Sequence, residues 1–197
     1  MTPTRLTPAP HRPTTTSRRE VILDAAVAIA TDGGYAAVRM RVVAEHAGIA
    51  VGTLYHYFPS KPHLLVSALT REFERLDDED DWATIADTPR QRLEELNARL
   101  RHEWQNRPAL TEAVTRAFVV ADGTVDVVRA EAVIAHVIAR AIAGGDPTSH
   151  QIQIAAVVVD VWLANLTAWT QQRTTTAEVC QRLHHTIGLL LADEPQA

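Results

Sequence analysis

The chain has 197 residues, 46% of them hydrophobic, enough for one compact body or two small ones with a real core. Its net charge is −5, so total charge gives no sign of nucleic acid. Its one cysteine, Cys180, excludes an internal disulfide and permits a reducing compartment.

Residues 1–16, "MTPTRLTPAPHRPTTT", hold four prolines and six threonines without periodicity, which predicts a disordered arm. The arm has no apolar core of a secretory leader. The most apolar run, "IAAVVVDVWLANL", is broken by Asp160 and Asn165 and is too short for a bilayer. The expectation is a soluble, cytoplasmic protein. Ser17 and Glu20 have capping-box spacing, and Val21, Ile22, Ala25, Ala26, Ile29 and Ala30 mark one face of a helix that Gly33-Gly34 ends. Short helices follow over about Met40–His46 and Ala50–Tyr57, with a tight turn at Ala47-Gly48-Ile49 and a stop at Pro59. Ser60 caps a helix to about Leu76, with Pro62 in its first turn. The acidic "DDEDD" (77–81) reads as a solvated helix end.

"TPRQ" (88–91) opens a helix to Asn106, Pro108 restarts one to Ala121, and Asp122-Gly123 turns the chain. Val125–Ala143 is helical and ends at Gly144-Gly145; Asp146-Pro147 caps a long helix to Gln172; "TTAE" (175–178) opens the last, to about Leu191. No strand alternation occurs. The fold class is all-α, about nine helices.

Charge is unevenly placed. Residues 1–63 hold seven basic and four acidic residues; the rest hold twelve and twenty. A basic front on an acidic body fits one end made for a polyanion. The helices at 40–46 and 50–57 form a helix-turn-helix, whose second helix would enter the major groove of DNA by its N-terminal end. Gly52 keeps that end slim, and Thr53 can bond a base edge or touch a thymine methyl. Tyr55, His56 and Tyr57 carry polar tips for phosphates, Phe58 faces inward, and Arg41 and Lys61 add phosphate-seeking charge. The bland alternative is a helical hairpin with aromatic packing and no ligand.

The residue order narrows this choice. "IATDGGYAAVRMRVVAEHAGIAVGTLYHYFPSKPHLL" resembles the DNA-binding domain of TetR-family transcriptional regulators at nearly every position, and the resemblance is strong over about 17–70. It implies a DNA-binding domain at 17–63, and a body at 64–197 that binds ligand and forms a homodimer. Arg39 departs from the family, which often has Thr or Ser there as a helix cap; arginine loses the cap and adds a cation for phosphate. The last two helices would pair with their twins in a four-helix bundle, burying Val157, Val158, Val161, Leu189 and Leu190. "TPRQRLEELNARL", "RPALTEAVTRAFVVAD", "VVVDVWLANLTAW" and "HHTIGLLL" are similar to repressors of sterol catabolism within the family. That implies double-stranded operator DNA as partner and a sterol-derived acyl-CoA as effector, controlling lipid catabolism genes. A repressor sensing fatty acyl-CoA or another hydrophobic compound is the alternative.

Leu100, Trp104, Leu110, Val114, Phe118, Val119, Trp162, Leu166 and Trp169 are candidates to line an elongated apolar pocket, with Asn165, Arg116 and Gln105 as its polar groups. Asp160 and Asn165 either face solvent or cap a neighbour, or anchor a pocket or interface. No cofactor, metal site or catalytic set is expected. His184 and His185 are adjacent and diverge on a helix, and Cys180 with His184 makes only a lone pair. No acid, base or nucleophile set can be assembled for an enzyme. A ligand-free architectural DNA binder would need a filled interior.

Overall fold

The computed structural model describes residues 15–79, 82–121 and 127–192, without the side chains of 15–17, 79, 83 and 104. Among these residues every element is a helix: α1 (Thr15–Ala37), α2 (Met40–His46), α3 (Val51–Tyr57), α4 (Lys61–Glu79), α5 (Trp82–Ile85), α6 (Pro89–Asn106), α7 (Pro108–Val119), α8 (Val127–Ala143), α9 (Ser149–Thr170) and α10 (Thr176–Leu190). Only the single turn α5 was not expected. Thr15 and Thr16 already belong to α1; the rest of the expected arm and the Asp122-Gly123 turn lie outside the described residues.

Local chemistry explains most boundaries. α1 bends at Gly34, whose φ of 66° lies in the left-handed region that favours glycine. The α2–α3 turn uses the same device at Gly48, φ 65°. Ser60 caps α4, its hydroxyl accepting from the His63 N–H at 3.3 Å. α6, α9 and α10 each open with a full capping box: Thr88 with Gln91, Thr148 with Gln151, and Thr175 with Glu178. Thr148 thus takes the role expected of Asp146. α1 starts ahead of the expected cap Ser17, and the Glu20 carboxylate accepts from Arg71 and Arg75 of α4.

Two apolar clusters hold the molecule. The first joins α1, α2 and α3 to the start of α4 through Ile22, Leu23, Val43, Leu54, Phe58 and Leu64. Ala113 and Ala117 of α7 also belong to it, since small side chains let α7 lie close to α1. Phe58 is fully buried, which for such a side chain stabilises by ~1.5–3 kcal/mol.

The second cluster fills the body with Phe73, Leu93, Ile134, Ile138, Val158, Trp162, Leu183 and Ile187. The buried Arg92 guanidinium caps α8, donating to the carbonyls of Ala141 and Ile142 at 2.8 Å each. Asp77 corrects the reading of the acidic run as merely solvated. It pairs with Arg140 at 2.9 Å and accepts from the Trp82 indole. α9 is long and apolar enough to cross a membrane by length and composition alone. Its Ile154, Val158, Val159, Trp162 and Leu166 are buried in the body core instead.

Candidate functional site

α3 is seated by Leu54 and Phe58 and leaves its other sides open. Gly52, Tyr55 and His56 are exposed, Thr53 and Tyr57 half-buried. A Cβ built on Gly52 would meet nothing within 4 Å, so packing inside the protein does not require glycine there. The rings support one another: His56 meets Tyr57 edge-on at 5.8 Å, and Tyr57 lies 6.5 Å from Phe58. Arg39 and Arg41, at the start of α2, are exposed, and Arg39 makes no side-chain cap on α2.

Lys61 is more constrained than the sequence implied. Its Nζ donates to the Tyr35 carbonyl at 2.9 Å and lies 4.0 Å from the Tyr35 ring centre. Arg116 of α7 stacks on the same ring at 5.0 Å, and Glu112 accepts from the Tyr35 N–H at 3.4 Å. Burial pushes the Lys61 ammonium below its ordinary pKa, with repulsion from Arg116 and Arg39 adding to it. Arg116 therefore sits at this junction and is absent from the lining of the body cavity.

That cavity has a volume of about 680 Å³ and lies between α4, α6, α7 and α9. Leu100, Leu110, Val114, Phe118, Trp162 and Leu166 line it, as does Val27 of α1. Its wall also carries Glu72, Arg75, Glu95, Arg99, His102, Glu103 and Arg107. No sequence signal singled these charges out, because they come from α4, α6 and the start of α7 and converge only in the fold.

The other candidates lie elsewhere. Trp169 and Gln105 line a separate space of about 90 Å³ beside Leu166. Asn165 is buried between α9 and α10: its amide donates to the Val161 carbonyl at 2.7 Å and its oxygen accepts from Arg182 at 3.3 Å. Val119 is 52% exposed, and the Trp104 side chain lies outside the described ones. On the outer side of α9 and α10, Val157 and Leu189 are exposed, whereas Val158 is used in the chain's own core. His184 faces Arg90 and Glu94, and Asp160 faces solvent.

Comparison with known proteins agrees with this layout. Residues 22–68 match the model of the bacterial regulatory proteins of the tetR family, and residues 86–190 that of a tetracyclin repressor-like C-terminal domain. The HTH-type transcriptional repressor KstR of Mycobacterium tuberculosis is 50% identical over 183 residues, covering 91% of this chain and 83% of the relative. A TetR transcriptional regulator from Rhodococcus sp. RHA1 superposes with a TM-score of 0.76 at 26% identity, covering 90% of this chain and 97% of that one. Thermus thermophilus FadR, a repressor solved with lauroyl-CoA, has the same fold, with a TM-score of 0.61 at 18% identity over 90% of this chain and 95% of that one. With both halves matched and half its residues shared with a repressor over most of its length, the chain belongs to the TetR family of bacterial transcriptional regulators.

Proposed function

We propose that this protein is a KstR-type repressor that binds a pseudo-palindromic operator as a homodimer and is released by a sterol-derived acyl-CoA. The observation that carries the effector half is the cavity. Its volume of about 680 Å³ lies within the ~300–1,000 Å³ usual for small-molecule sites. Apolar walls suit a ring system, and Arg75, Arg99, Arg107 and His102 suit an anionic nucleotide end. A charge left among the apolar walls would cost several kcal/mol, so such a ligand needs a two-part site. An interior space of this size argues against a ligand-free architectural binder.

The DNA half rests on α3. Thr53 reads base edges; Arg39, Arg41, Tyr55, His56, Tyr57 and Lys61 hold phosphates; and Gly52 lets the helix end approach the duplex. Exposed Val157 and Leu189 supply apolar surface for the partner subunit. A body that changes shape on ligand entry alters the spacing of the two recognition helices. DNA accepts half-sites only about one turn apart (~34–36 Å).

The test is direct binding to the full chain, read by tryptophan fluorescence, to which Trp162 in the cavity wall contributes. Cholestenoyl-CoA should quench or shift it at lower concentration than free cholesterol, with sugars and amino acids inert. Equal response to the free sterol and its thioester would remove the role of the charged wall.

A further inference from the structure

Two arginines one helical turn apart on α4 hold the same carboxylate of α1. Arg71 is buried and bonds Glu20 at 3.2 Å, Asp24 at 2.8 Å and Glu72 at 2.8 Å. Arg75 reaches Glu20 at 3.1 Å and Glu72 at 3.4 Å. Their surroundings differ. The Arg71 side chain is 6% exposed, whereas that of Arg75 is 47% exposed and lines the ligand cavity. Glu20 and Val27 are seven residues apart, so they share one stripe of α1 along that side of the cavity. The same helix carries Ile22 and Leu23 into the core that seats α3.

We infer that Arg75 is the effector-sensing residue of this repressor: an anionic head group entering the cavity takes its guanidinium from Glu20, loosening α1 from α4 and coupling ligand binding to the recognition helix. The inference rests on the proposed reading of the cavity as a site for an anionic thioester. Arg71 is unsuited to the role, because it is buried and keeps Asp24 and Glu72 whatever Glu20 does. Arg75 is suited, because a half-exposed ion pair is weak enough to exchange partners. Arg99 and Arg107 also stand in the cavity wall, but their ion pairs with Glu95 and Glu103 of α6 do not reach α1, so exchange of those pairs leaves α1 untouched.

The test compares wild type with Glu20→Gln and Arg75→Gln, all full length, on a duplex selected from random sequences by the wild-type protein. Palmitoyl-CoA and cholestenoyl-CoA serve as probes. Three quantities are read: thioester affinity without DNA, operator affinity without thioester, and the ratio of operator affinities with and without saturating thioester. Competition for Arg75 predicts that Glu20→Gln binds thioester about three- to fivefold tighter, the size of one half-exposed ion pair. Its coupling ratio falls as well, because the bond through which the thioester would act on α1 is gone; by reciprocity the same reduced ratio is read from thioester affinities with and without operator. Arg75→Gln binds thioester more weakly and also loses coupling. A merely structural bridge would lower melting temperature in both variants without tightening thioester binding, and that result overturns the inference. Wild-type protein that binds and responds to thioester, with Glu20→Gln unchanged in both measures, overturns it as well and leaves the cavity reading intact. Wild-type protein that binds neither thioester overturns both.

Discussion

The only lysine of the chain, Lys61, donates to the carbonyl of Tyr35 at 2.9 Å and covers that residue's ring at 4.0 Å. The bond ties the first residue of α4 to the bend that closes α1, next to the helix-turn-helix. Lys61→Ala should lower the melting temperature through loss of a charged hydrogen bond, worth ~1.5–3 kcal/mol in general. It should also weaken binding to all sequences alike and reduce the salt slope by ~1, as for one lost phosphate contact. Unchanged operator affinity and slope beside a lowered melting temperature would confine Lys61 to the structural bond.

Gly52 offers separate tests of folding and of DNA binding. Its Cβ position is open, so Gly52→Ala should leave the melting temperature unchanged or raise it, alanine being favoured over glycine in helices by up to ~1 kcal/mol. Operator affinity should fall about tenfold, the size of one lost base contact. Circular dichroism and fluorescence anisotropy on the same samples decide it; undiminished DNA binding would remove α3 from the groove.

Leu189 is 66% exposed in the single chain, so a charge there costs the monomer little. Leu189→Glu should therefore keep its helicity and lose its partner, because the carboxylate would be buried between subunits. Light scattering showing an intact dimer for this variant would place the interface elsewhere.

Glu178 gives a pH signature. Its carboxylate accepts from the Thr175 N–H at 2.7 Å, and this bond, with those from the Thr174 and Thr175 hydroxyls, holds its pKa below the ordinary 4.5. A depressed carboxylate pKa contributes stability above the unfolded value and loses it as the pH falls through the folded one. Wild type should therefore melt above Glu178→Gln near pH 7, and the two curves should converge in acid, below the lowered pKa. A constant gap across that range would mean that the cap does not depend on the charge.

Much of this was legible from local rules. The capping pairs Thr88–Gln91 and Thr175–Glu178, the Gly48 turn and the inward Phe58 were readable because each is decided within a few residues. The long helix was expected to be capped by Asp146-Pro147; the capping box of Thr148 with Gln151 opens it instead. The cavity was partly legible. Leu100, Val114 and Trp162 line it, but no local pattern marked the charges at Arg75, Arg99 and Arg107, which come together only through the convergence of α4, α6 and α7. Asn165 could have been a pocket anchor or an interface group, and only its bond to Arg182 places it between α9 and α10.

A steroid thioester should empty the operator. A mobility-shift titration of the dimer–operator complex with cholestenoyl-CoA, palmitoyl-CoA and free cholesterol tests it most directly. Release by cholestenoyl-CoA is expected at the lowest concentration, with free cholesterol weaker. Release by palmitoyl-CoA but not by the steroid thioester would contradict it and make the protein a fatty-acyl sensor.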